Sequence, residues 1–159
     1  ITMSMIASRA GVSTQTVVRK YGNRDAVFTA AAARAHEQIF TSRDQIEPGN
    51  KQQVVARLIE HYEAVGDGVI KLLSEEHALP AIAEVVAIGR QSHRDWCERA
   101  FAPQLTAHRG ARRKLLTAQL VALCDVYTWK LLRRDSGLSA KQTQAAIAEM
   151  IVALGGSKR

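Results

Sequence analysis

Residues 3–27 read MSMIASRAGVSTQTVVRKYGNRDAV, and their spacing predicts a helix, a tight turn, a second helix and the start of a third. Ile6, Ala7 and Ala10 share a face of the first helix, where the two small alanines let another helix approach closely. Gly11 falls where a helix ends in a left-handed residue, a conformation that costs glycine least. Val12 is expected as an apolar plug in the turn. Ser13 is a good N-cap, because its hydroxyl accepts a free backbone N–H of the next helix. Val17 and Tyr21 are four apart and point inward together, leaving Thr14, Gln15, Thr16, Val18, Arg19 and Lys20 outside. The pattern is a helix-turn-helix whose second helix has the composition of a reader of DNA bases.

Charge points the same way. Before Asp25 the stretch carries Arg9, Arg19, Lys20 and Arg24 with no acidic residue, while the whole chain has a net charge of +7. More than half of the excess sits in this short segment, as a phosphate-binding surface requires.

The run IASRAGVSTQTVVRKYGNRDAVF is similar to the DNA-binding signature of the TetR family of bacterial transcriptional regulators. Ala10-Gly11-Val12-Ser13, Thr16-Val17, Tyr21, Arg24-Asp25 and Val27 occupy the places that carry the resemblance. Val18 stands where the family usually has a tyrosine that touches phosphate, and a valine there can instead pack against a thymine methyl group. The resemblance implies a further helix ahead of Ile1, so that the sequence starts inside the DNA-binding domain. It also implies a second domain that binds a small-molecule effector, and a four-helix interface between two copies.

Composition restricts the fold class. The 159 residues are 47% hydrophobic but only 5% aromatic, with 3 prolines and no sustained alternation of apolar and polar positions. An all-α chain is expected. No apolar run approaches a membrane span and no signal-peptide pattern is present. Cys97 and Cys124 are isolated, which implies neither a disulfide framework nor a zinc cluster and fits a reducing cytoplasm.

Thr2 is placed to cap the first helix, and Asn23 to cap a long helix from about Arg24 to Ile46. Glu47-Pro48-Gly49-Asn50 is a break, dividing a DNA-binding domain (1–46) from a ligand-binding and dimerisation domain (47–159). Val55, Leu58, Ile59 and Tyr62 keep helical spacing up to Val65, and Gly66 and Gly68 then predict a kink or short connection. Pro80 opens a further helix whose stripe includes Ile82, Val86, His93, Trp96, Cys97 and Phe101. Arg112, Arg113 and Lys114 oppose the dipole of the helix they open and read as a solvated entry.

One continuous helix is expected from there to Gly137. One stripe is Leu116, Leu120, Leu123, Tyr127 and Leu131; the other is Leu115, Ala122, Val126 and Trp129. Ser139 caps a last helix bearing Thr143, Ile147, Met150, Ile151 and Leu154. Two neighbouring helices with surplus apolar surface call for a partner. Leu116, Leu120, Leu123, Tyr127, Leu131, Ile147, Met150, Ile151 and Leu154 are therefore the candidate dimer interface. Tyr62, His93, Trp96, Cys97 and Tyr127, which join apolar bulk to polar tips, are the candidate ligand pocket.

No glycine-rich phosphate loop, metalloprotease helix or serine-nucleophile motif is present, so an enzyme is not expected. His36, His61, His77, His93 and His108 are scattered and form no metal-ligand pattern, and no cofactor is expected. The expected function is a ligand-responsive repressor that binds an inverted-repeat operator in double-stranded DNA as a homodimer. Thr14, Gln15, Thr16, Val18 and Arg19 would face the major groove, with Arg19 on guanine and Gln15 on adenine. Thr2, Lys20, Tyr21 and Arg24 would hold phosphates. The rival is a helical protein-interaction module that does not read DNA.

Overall fold

The computed structural model describes residues 2–31, 34, 46–77 and 80–156, and every regular element among them is helical. The protein is all-α, as its composition predicts. The helices are α1 (Met3–Arg9), α2 (Thr14–Tyr21), α3 (helical over 24–31), α4 (Lys51–Ser74), α5 (Pro80–Ala100), α6 (Ala102–Thr106), α7 (Gly110–Leu123), α8 (Val126–Lys130) and α9 (Ala140–Gly156). A π-helical turn, Leu131–Asp135, follows α8. The helix expected from Arg24 to Ile46 is present over 24–31 and at Arg34; its other positions up to 45 lie outside the described residues.

Helices α4, α5, α7, α8 and α9 pack on one another around a single core. Val54, Val55, Leu58, Ile59 and Tyr62 enter it from α4, and Trp96, Cys97 and Ala100 from α5. Leu116, Leu120, Val126, Trp129, Ile147 and Ile151 close it from the C-terminal half. Most of these residues lie on stripes that helical periodicity picks out, but Val54 does not, and Leu116 and Leu120 come from one expected C-terminal stripe while Val126 and Trp129 come from the other. Each fully buried large side chain contributes roughly 1.5–3 kcal/mol over its exposed state.

The break before α4 is a capped junction. The Asn50 carboxamide oxygen accepts from the Gln53 amide at 3.2 Å, and the Gln53 side chain accepts from the Glu47 amide at 2.7 Å. Gly49, at φ +90°, donates its N–H to the Ala100 carbonyl at 2.9 Å and ties this junction to the end of α5. Ser139 and Gln142 cap α9 reciprocally: each side chain bonds the other residue's amide, at 3.2 and 2.9 Å.

Two expectations are corrected. No break occurs at Gly66 and Gly68; α4 runs through both. A Cβ added to Gly66 would lie 2.5 Å from Cζ3 of Trp129, so this glycine serves a close approach between helices, not a bend. The helix expected from Gly110 to Gly137 is in fact interrupted after Leu123, with a bend of 42° between the pieces. Asp125 causes the restart: its carboxylate accepts from the Tyr127 amide at 2.9 Å, the N-cap role a short acidic residue prefers to a helix interior.

The segment after the bend is latched to α4 by charge. Trp129 Nε1 donates to Glu63 Oε1 at 3.0 Å, and Arg133 grips the same carboxylate through Nε and Nη2 at 2.9 and 3.2 Å. Arg134 makes a second two-point bond to Asp67, at 3.1 and 3.0 Å, with its guanidinium 4.6 Å over the Trp129 ring. Burial pushes the Glu63 carboxyl up. The hydrogen bonds from Arg133 and Trp129 and the charges of Arg133 and Arg134 outweigh that effect and hold it below the ordinary glutamate value.

Candidate nucleic-acid interface

The turn between α1 and α2 is built by local hydrogen bonds. Gly11 has φ +66°, which allows its N–H to reach the Ser8 carbonyl and the Val12 N–H to reach the Ala7 carbonyl, at 3.2 and 3.1 Å. This pair of bonds is a Schellman ending. Val12 contributes through its amide, and its side chain is 44% exposed, so it is not the plug expected of it. Ala10 is exposed too, and of the two alanines only Ala7 is buried.

Ser13 then starts α2. Its Oγ accepts from the Thr16 amide at 3.1 Å and lies 2.8 Å from the Thr16 hydroxyl. Val17 is the buried residue of α2 and packs the helix against α1, while Tyr21 is half-buried. Gly22, at φ +79°, closes the helix with a bond from its N–H to the Val18 carbonyl. The Asn23 side chain accepts from the Ala26 amide at 2.8 Å and caps α3.

This scaffold presents Thr14, Gln15, Thr16, Val18, Arg19 and Lys20 to solvent together. It also distinguishes among them. The Thr16 hydroxyl is engaged with the cap, whereas Thr14, Gln15, Val18 and Arg19 form a continuous patch by their spacings of three and four. Lys20 holds its ammonium 5.3 Å from the Tyr21 ring, and Arg24 lies 3.7 Å from the Asp25 carboxylate. The Thr2 hydroxyl caps α1 by accepting from the Met5 amide at 3.3 Å. Arg9, exposed at the end of α1, adds a fourth cation that sequence reasoning counted in the charge but not in the site. Beside this surface an open apolar groove of about 1020 Å³ lies between α1 and α3, lined by Met5, Ile6, Ala10, Val27, Phe28 and Ala31 among others.

The candidate ligand residues of the bundle do not converge on open space. Trp96 and Cys97 are buried, and the Tyr62 hydroxyl donates to the Cys124 carbonyl at 2.9 Å. His93 Nε2 bonds the Val121 carbonyl at 3.1 Å, and its ring stacks on Trp96 at 6.4 Å. Their polar tips are satisfied within the chain. Tyr127, by contrast, is 50% exposed. The five residues are thus four members of the packed interior or its edge and one surface residue.

The candidate dimer residues divide as well. Leu116, Leu120, Ile147 and Ile151 are buried in the chain's own core, where no second copy can touch them. Leu123, Met150 and Leu154 are partly buried against that core. Tyr127 and Leu131 are exposed, and so are Leu115 and Val152 on α7 and α9. The interruption at Asp125 explains the division between α7 and the segment after it, because a stripe that is continuous on one straight helix changes sides across a bend. Leu115 belonged to the other stripe, and Val152 fell outside the stripes altogether.

Among the described residues no single helix is long and apolar enough to cross a membrane. Cys97 and Cys124 are both buried and form no disulfide. No protein-family model matches the chain, and neither does any curated protein or solved structure.

Proposed function

We propose that this chain binds double-stranded DNA through the exposed face of α2. More particularly, we read it as a TetR-type transcriptional regulator, a ligand-responsive repressor acting as a homodimer on an inverted repeat. The observation that carries this reading is the α1–turn–α2 unit. A short helix capped at both ends, with Val17 buried and Tyr21 half-buried, holds Thr14, Gln15, Val18 and Arg19 clear of the protein. Arg9, Lys20 and Arg24 flank it, so the patch combines base-reading groups with phosphate-binding charge.

In this reading Arg19 contacts guanine and Gln15 adenine. The exposed apolar residues Leu115, Tyr127, Leu131 and Val152 supply the contact with the second copy. A two-fold dimer then sets two readers roughly 34 Å apart, one turn of DNA. An effector that prefers one reader spacing by about 1–3 kcal/mol suffices to regulate binding.

The test is a titration of the protein on the inverted repeat upstream of its own reading frame, against random duplex, at several salt concentrations. Preference for the repeat, weakening with salt, is expected. Equal affinity for both duplexes at every salt would leave a helical interaction module, for which the same exposed apolar residues speak. Within the DNA reading, Arg19→Ala should weaken the specific site by about 1–3 kcal/mol with unchanged helicity.

A further inference from the structure

The patch on α2 holds one residue that hydrogen bonding does not explain. Thr14, Gln15 and Arg19 offer donors or acceptors, but Val18, in their midst, offers only methyl groups and is 43% exposed. Its neighbour Val17 carries the packing against α1 and is 5% exposed, so Val18 is not needed to anchor the helix. An apolar side chain set among polar ones on a contact face is matched best by an apolar feature on the opposing surface.

The major groove has one such feature among the standard bases, the C5-methyl group of thymine. Gln15 and Val18 lie three residues apart on the same face. At 1.5 Å per residue their axial separation is roughly 4.5 Å, close to the 3.4 Å step between base pairs. With the helix axis along the groove, two side chains so placed reach neighbouring pairs.

We propose that Val18 is a specificity residue that packs on the methyl group of a thymine in the base pair next to the adenine read by Gln15. This rests on the DNA-binding reading above and adds to it a preference that hydrogen-bonding groups alone cannot supply. The face of α2 then selects a half-site with an adenine, an adjacent thymine recognised by its methyl, and a guanine for Arg19.

Uracil differs from thymine only by that methyl, which makes the test direct. The full chain selects a preferred duplex from random-sequence DNA, and each thymine of the half-site is then replaced in turn by deoxyuridine. One position per half-site should lower the affinity about fourfold, the effect of one buried methyl-sized group. With Val18→Ala that position should become indifferent to uracil, while all others keep their behaviour and the circular dichroism spectrum is unchanged. A preferred duplex whose affinity no uracil alters overturns the proposal alone. So does a uracil effect that persists undiminished in Val18→Ala. If no duplex is preferred at all, the DNA-binding reading falls and this inference with it.

Discussion

Substituting Gly66 by alanine tests how the bundle closes. Alanine in a helix interior normally stabilises by about 1 kcal/mol over glycine. Here the new Cβ would stand 2.5, 2.7 and 3.0 Å from Cζ3, Cη2 and Cε3 of Trp129. That ring is fully buried and is held at its edge by the bond from Nε1 to Glu63. It cannot swing away without breaking that bond or disturbing Tyr62, whose ring centroid is 5.8 Å distant. Overpacking of this kind costs about 1–3 kcal/mol, and a rigid, fully buried aromatic ring belongs at the upper end. The net expectation is a loss of about 2 kcal/mol.

Gly68 provides the internal control. It lies two residues along the same helix, and a Cβ there meets nothing within 4 Å. Gly68→Ala should therefore stabilise by about 0.5–1 kcal/mol. Urea denaturation followed by far-ultraviolet circular dichroism reads both, and tryptophan fluorescence should report the displaced ring in the Gly66 variant only. For a chain of this size each kcal/mol moves the melting temperature by about 2–4 °C, so the two variants should separate by several degrees. Equal stabilisation by both alanines would refute the close approach of α4 and α8.

Other perturbations address the cap, the latch and the exposed face. Ser13→Ala removes the acceptor for the Thr16 amide and should cost α2 about 1 kcal/mol, visible as faster hydrogen exchange of its first amides; unchanged exchange would show the cap to be dispensable. Glu63 has a folded pKa below its ordinary value of 4.5. Its contribution is therefore complete above that value and is lost as pH falls through the folded pKa. Urea midpoints across the acid range should fall less steeply for Glu63→Gln than for the wild type, and parallel curves would remove Glu63 from the acid response. Leu131, 58% exposed, is not needed by the core. Leu131→Asp should convert the proposed dimer to a monomer of unchanged helicity in sedimentation equilibrium, and a persisting dimer would exclude this face.

Four of the helix starts are legible in the sequence, while the restart at Asp125 is not. Thr2, Ser13, Asn23 and Ser139 each accept from an amide three residues on, so the chemistry that starts these helices is contained in the local sequence. The exposed patch on α2 was legible for the same reason, because three- and four-residue spacing sets which side chains share a face. The exposure of Val12 and Ala10 was not, since local spacing does not say how far a packing partner extends.

Sequence by itself determined the helical class, most of the apolar positions, the caps at Thr2, Ser13, Asn23 and Ser139 and the concentration of charge before Asp25, all of them properties of neighbouring residues. Tertiary structure alone decided which stripe faces inward. The bend at Asp125 sends Leu116 and Leu120 into the core and leaves Tyr127 and Leu131 in solvent. It alone decided what Gly66 is for, since Trp129 lies 63 positions away along the chain. The physical reason is one of range: hydrogen bonds within a turn are written in adjacent residues, whereas burial depends on which distant surface arrives to exclude water.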